Sequence, residues 1–367
     1  MKKGLIISVL LLPVILVSFF YIHVNRHSYD IPPIDDADLL VVRPVMPATN
    51  NAYHVFTNAA QVLCLSEKYR DEIYDYLWSE EPSEKSKSVT QEQMASLVES
   101  NKLFFSFMCE GVQRDHCVIE NAQESPLSMS DVIEMNEMML VKIKFLMEAG
   151  KVDEALDTAM ISLRFGELLE RDAQDSSPAL AGISIISSVL AFVDKIMERG
   201  TVTPDREEKL LKQLQRIKRL RTGLENGYKA YYSFVVNEII GSMETARYKA
   251  MASRGATKLI RKNYAFKPNS TKKVLAEYWR DQIERLKYPE KENRIPLDMS
   301  EYQMPKGWLQ KTRFALGQNC VGKGLLVMCA ITGNSIAHET EAAHKTEEKI
   351  SVLEKKLLSR QQTKDES

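Results

Sequence analysis

Neither sign of charge dominates this sequence: 49 lysines and arginines stand against 50 aspartates and glutamates, for a formal net charge of −1. A nucleic-acid binder displaces counterions from phosphates with a surplus of Lys and Arg, so this balance excludes that class. Glycine is also scarce, 15 residues in 367, and runs of alternating Val, Ile and Thr are few. Without them no stretch reads as a hairpin or a repeated βαβ unit. The catalytic signatures are missing as well: there is no GxSxG and no recognisable Ser/His/Asp arrangement.

Small residues are absent where a signal peptidase would need them. From Leu5 to Asp36 there is no alanine or glycine, and Ser18 and Ser28, placed just before a cut, would have Leu16 and Arg26 at the third position before it. The first cysteine, Cys64, is too late for a lipoprotein-type cut. The processing rules therefore predict that the N-terminal segment is retained.

What is there begins with that segment. Gly4 to Val24 is uncharged, 21 residues that as a helix would reach roughly 31 Å, enough to cross a hydrocarbon core. Pro13 is tolerated within such a span, and Tyr21 and His23 suit the outer interface. Lys2 and Lys3 precede the run, whereas Asp30, Asp35, Asp36 and Asp38 follow soon after Arg26. The positive side stays in the cytoplasm, so the rest of the chain is expected outside the bacterial inner membrane, in the periplasm. The expected organisation is a signal anchor over 1–27, a Pro-rich extended stalk over 28–50, a helical extracytoplasmic domain over 51–360 with a sub-boundary near 120–130, and a polar tail over 361–367.

The fold class expected is all-α: an N-terminal transmembrane helix, then a multi-helix bundle or a short solenoid-like array of helical hairpins. Helical spacing runs from 51 to about 78 and again over 91–109. The clearest hairpin lies between Ser130 and Arg171. Ser130 is the expected N-cap; Val132, Met135, Met139, Ile143 and Met147 share a face, and Gly150 supplies the left-handed stop. Ala155, Ala159 and Leu163 give the second helix a small-residue face. The turn at 150–156 resembles that of tetratricopeptide repeats, but one copy cannot form an array, and an antiparallel hairpin is the plainer reading.

Residues 179–198 are strongly apolar and are expected to be the most buried element. Thr203 and Pro204 open another helix, and a longer one is expected from Gly223 to Ile239. Asn269 or Ser270 is expected to cap a helix carrying Val274, Tyr278 and Ile283. Ile336, Ala343, Ile350 and Leu357 are seven apart, yet only Leu353 fills a d position, so a solvated terminal helix is expected there.

Cys109 and Cys117 flank a short loop that a disulfide could close on an oxidising side of the membrane. Cys320 and Cys329 are nine residues apart on one helix and read as buried hydrophobes. Gly317 to Gly324 nearly matches a phosphate-binding loop, but Gly324 stands where the magnesium-holding hydroxyl belongs; a glycine-rich break between helices is expected. His338 and His344 are six apart and cannot chelate one ion from a single helix. No metal or cofactor site is expected. Six basic residues between Lys209 and Arg221 read as a solvated helix face.

Tyr228, Tyr231, Tyr232 and Glu238, with Glu225, are the candidate interaction surface; as a pair of carboxylates among aromatics they would also suit a glycan-cleaving enzyme, although nothing fixes their separation. No catalytic residue is identified.

Asn50 to Tyr53, Lys267 to Thr271 and Asn319 to Leu326 resemble segments of bacterial proteins that have one N-terminal membrane helix and an all-helical exported domain. The resemblance implies architecture and brings no activity: Asn269 as a helix cap, and Asn319 with Gly322 at an inter-helix turn. The expected role is a non-enzymatic binding or scaffolding module for another envelope protein, tethered to the bilayer through residues 4–24. The alternative is an envelope enzyme cleaving glycan or peptide.

Overall fold

The structure is a computed structural model. It describes residues 18–19, 22, 29–41, 46–65, 70–78, 90–119, 127–200, 202–217, 220–242, 267–288 and 320–365, with backbone alone at 70–71, 320–337 and 363–365. Among these residues it is all-helical and has no strand; one isolated bridge joins Asn51 to His116. The helices are α1 (Tyr53–Val62), α2 (Arg70–Trp78), α3 (Gln91–Ser100), α4 (Lys102–Gly111), α5 (Met129–Glu148) and α6 (Val152–Arg171). They continue with α7 (Ser176–Arg199), α8 (Pro204–Ile217), α9 (Thr222–Phe234), α10 (Pro268–Lys287) and α11 (Cys320–Asp365). Short 3-10 turns lie at Ala37–Leu39 and Ala48–Asn50, and a π turn at Val235–Ile240 extends α9. The chain divides into two compact units: unit 1 is Met1–Leu40 with Lys229–Ala337, and unit 2 is Val41–Tyr228 with His338–Ser367.

Unit 2 is built on α5, α6 and α7. The α5 N-terminus is capped two residues earlier than expected: Ser128 and Asp131, not Ser130, form a reciprocal capping box, which satisfies two orphan N–H donors at once. The α5 face is buried as its spacing requires, from Val132 through Met139 to Ile143. At its end Gly150 adopts φ +74°. Lys151 N–H bonds Leu146 O at 2.8 Å and Gly150 N–H bonds Met147 O at 3.2 Å, the paired bonds of a Schellman stop. The chain then turns back into α6 as the hairpin.

Helix α6 packs most extensively on α7. The two backbones meet at Gly166 and Gly182: a Cβ on Gly182 would stand 2.5 Å from Gly166 O, and one on Gly166 would stand 2.9 Å from Gly182 O. Any larger residue would force the helices apart. Among the described residues α7 is the one helix long and apolar enough to cross a membrane. In unit 2 it is a core helix, with Ile186, Val189, Val193 and Ile196 fully buried, as its composition led us to expect.

Two buried asparagines explain where the earlier helices break. The stretch 91–109, expected as one helix, is two, because Asn101 interrupts it. Asn101 Oδ1 accepts from Cys64 N–H at 2.9 Å and its Nδ2 donates to Cys64 O and Leu97 O. Asn51 accepts from Val118 N–H at 3.0 Å and Tyr53 N–H at 3.1 Å and donates to Val118 O at 2.8 Å. Both side chains use local sequence to hold a distant strand of backbone.

The terminal helix differs from expectation. Ala343, Ile350, Leu353 and Leu357 are all buried, so this stripe is a packed face and not a solvated one. Lys349 Nζ bonds Ser187 Oγ at 2.9 Å and Lys356 Nζ bonds Asp194 at 2.5 Å. Both pairs are offset by 162 residues, so α11 runs parallel to α7 in register. Thr346 fills another d position by bonding Ala342 O at 2.8 Å within its own helix, which lets a polar residue be buried there. Gly322 and Gly324 are helical backbone within α11, so neither the phosphate loop nor the expected inter-helix break is present.

Unit 1 carries the acid-rich segment at 29–40. It has no α-helix, and its side chains are engaged. Asp30 Oδ2 accepts from Asn269 N–H at 2.8 Å, and its Oδ1 accepts from Ser270 N–H at 3.0 Å and Ser270 Oγ at 2.7 Å. The α10 N-terminus is thus capped by Asp30, not by Asn269 or Ser270. Asn269 Nδ2 instead donates to Ile31 O at 2.9 Å. Further on, Tyr232 donates to Asp36 at 2.5 Å, Arg280 grips Asp38 at 2.6 and 2.9 Å, and Leu39 is buried.

Of residues 1–27, the apolar run at 4–24 lies almost wholly outside the described residues. Ser18, Phe19 and Ile22 are helical, and Phe19 and Ile22 are 70% and 63% exposed.

Candidate functional site

The parallel pairing of α7 and α11 leaves a groove along their seam. One part has a volume of about 470 Å³ and is lined by Leu190, Ala191, Lys345, Lys349, Val352 and Leu353, among others. A second part of about 310 Å³ shares Asp194, Leu353 and Lys356 and ends at Leu357 and Arg360. The groove exists because heptad spacing buries one stripe of α11 and turns Val352 outward beside it. Val352 is 50% exposed beside this floor. Along the rim, Lys345 pairs with Glu341 at 2.6 Å and Lys356 with Asp194 at 2.5 Å. The arrangement is an apolar floor with a polar, charge-balanced edge, which suits an amphipathic segment laid along it.

A second constellation lies on α6. Arg164 and Arg216 both donate to Glu167 Oε1, at 2.6 and 2.7 Å, and Arg171 stands 3.9 Å from the same oxygen. Glu167 Oε2 has no hydrogen-bond partner among the described residues. Burial pushes the Glu167 carboxyl up, while the Arg171 guanidinium pulls it back. One turn on, Glu170 accepts from Gly223 N–H at 3.0 Å. Burial raises Glu170 to about 7, with the Gly223 bond acting against it and the Glu347 carboxylate adding to it. Glu347 is itself held by Arg221, at 2.6 and 2.9 Å. Arg171 also clasps Asp172 at 2.7 Å, and Asp172 accepts from Cys117 N–H at 2.8 Å.

This cluster fastens the 114–118 loop, α8, the start of α9 and α11 to one helix. Both glutamates are almost fully buried, and neither lines the groove. The sequence reading missed them, although a signal was present. Ala155, Ala159 and Leu163 continue at the same spacing to Glu167 and Glu170, which places both acids on the buried stripe.

The residues singled out from sequence are distributed as follows. Tyr228 belongs to unit 2, is buried, and shares a 3.2 Å hydrogen bond with Thr340. Tyr231, Tyr232 and Glu238 belong to unit 1. Tyr232 is buried on Asp36, Tyr231 is half-buried against the Trp279 ring, and Glu238 is exposed. Two of the four are therefore interior side chains. Cys109 is half-buried and Cys117 buried, both as free thiols; burial beside Asp172 pushes the Cys117 thiol well above its ordinary range. Among the described residues no group of three or more His, Cys, Asp and Glu could hold a metal. Within the basic run, Lys209 and Lys212 pair only with Asp205 and Glu208 on the solvated face, whereas Arg216 and Arg221 turn inward to Glu167 and Glu347.

No protein-family model, no curated protein and no solved structure matches this chain.

Proposed function

We propose that this chain is a single-pass protein of the bacterial inner membrane, anchored by residues 4–24 with its N-terminus in the cytoplasm. Its helical bundle, on this reading periplasmic, binds another envelope protein without catalysing a reaction. The observation that carries the binding reading is the groove between α7 and α11, with its apolar floor and half-exposed Val352. A helical segment with apolar residues at i, i+3 and i+7 fits such a seam. The uncharged run at 4–24, with Lys2 and Lys3 before it and four aspartates after it, supports the anchor.

The alternative is an envelope enzyme cleaving glycan or peptide; for glycan, two carboxylates must face each other across an open pocket. Glu167 and Glu170 instead lie on one helix, wrapped by arginines and a backbone amide, and support the fold. The test is site-specific photocrosslinking of the full chain in membranes from position 352. A discrete adduct lost in an Ala191→Asp variant supports the groove as the binding site. The absence of any discrete adduct from 352, or one indifferent to Ala191→Asp, overturns it.

A further inference from the structure

The segment that follows the anchor is too short, and too firmly held, to act as a spacer. Asp30 is the sixth residue beyond Val24. A fully extended chain advances at most ~3.6 Å per residue, so Asp30 lies within about 22 Å of the edge of the hydrocarbon core. The polar head-group layer occupies roughly 5–8 Å of that distance. Asp30 is not at the end of a free tether: its carboxylate receives the Asn269 and Ser270 amides and the Ser270 hydroxyl. Asp36 and Asp38 add their bonds to Tyr232 and Arg280, and Leu39 is buried. Where the anchor emerges, α10 follows.

Charge says what meets the bilayer there. The segment 30–38 carries four aspartates, which if free would repel anionic lipid. Three of them are engaged by α10 and by Tyr232 on α9. The start of α10 offers the opposite sign, with Lys272 half-buried and Lys273 exposed. Lys273 has only a long 3.9 Å pairing with Glu277. Each Lys or Arg near an anionic surface contributes about 1 kcal/mol of attraction, which fades within a Debye length.

We infer that unit 1 lies against the membrane surface, with the first turns of α10 held beside anionic lipid head groups. This rests on the reading of residues 4–24 as a membrane span. The docked aspartates set the distance, and Lys272 and Lys273 at the start of α10 supply the affinity.

The experiment places a photoreactive residue at position 273, or at position 19, of the full chain. Each variant is reconstituted into phosphatidylcholine vesicles with and without phosphatidylglycerol. Lipid adducts are expected at 19 in both lipids, and at 273 with a roughly fivefold gain on adding the anionic lipid, reversed by high salt. Adducts at 19 with none at 273 overturn the inference and leave the anchor standing. Equal labelling at 273 in both lipids overturns the electrostatic contact. Absence of adducts at both positions removes the anchor, and the inference with it.

Discussion

Asp30 and Ser270, separated by 240 residues in sequence, meet through two hydrogen bonds to one carboxylate oxygen: the Ser270 amide at 3.0 Å and its hydroxyl at 2.7 Å. With the Asn269 amide on the other oxygen, the carboxylate does for α10 what an N-cap residue does within a helix.

Asp30→Ala therefore frees the α10 N-terminus. The expected loss is about 1 kcal/mol, the usual cost of removing an N-cap. Amide hydrogen exchange at Asn269 and Ser270 should speed up while unit 2 amides keep their rates. Unchanged exchange at those two amides counts against the cap.

Glu170 predicts a pH dependence of stability. Its carboxyl is raised from 4.5 to about 7 in the folded chain, so its contribution is fully present below about pH 4.5 and is lost as the pH rises through about 7. Glu170→Gln keeps an acceptor for Gly223 N–H and removes the titration. The unfolding free energy of this variant from urea titration should exceed that of the parent at pH 8, by about 3 kcal/mol at most, and match it more closely at pH 5. A variant less stable than the parent at pH 8 contradicts this.

Gly182→Ala introduces a Cβ 2.5 Å from Gly166 O. Backbone cannot rotate aside as a side chain can, so overpacking of about 1–3 kcal/mol is expected. Thermal unfolding measures it, and a midpoint equal to the parent's rules out the close crossing of α6 and α7.

Leu357→Ala removes a buried side chain of the α11 stripe. A loss of about 2–5 kcal/mol is expected, together with earlier proteolytic cleavage beyond residue 338. If α11 were a solvated helix, stability would be almost unaffected.

The contrast between α5 and α11 shows what could be read from the sequence. Gly150 was legible because a local backbone requirement, φ > 0, selects its own residue type. The apolar periods of α5 and α7 were legible because burial follows from spacing alone. The N-cap was placed two residues late because serines at 128 and 130 look alike until the Asp131 carboxylate chooses one. For α11 the heptad was visible, but its packing was not. The partner surface on α7 lies 162 residues away, and Thr346 conceals its d position by bonding within its own helix. The acid-arginine cluster was hidden for a related reason: Arg164 and Arg171, at helical spacing from Glu167, have the look of surface pairs. Only the added Arg216, from another helix, turns them into an interior site. The groove has no local signature at all, being the space between two stripes that are each read separately.

The parallel seating of α11 on α7 also orders events in time. The α7 surface is made before residue 200, but the stripe that covers it begins only beyond residue 338. Between the two parts of unit 2, roughly 110 residues of unit 1 must be synthesised, which takes about 5–20 s at ordinary elongation rates. Throughout that interval the apolar side of α7 facing Ile350, Leu353 and Leu357 is without its cover. The nascent chain passes through a state in which α7 is incompletely enclosed, and unit 2 closes only when the stretch beyond residue 338 has emerged.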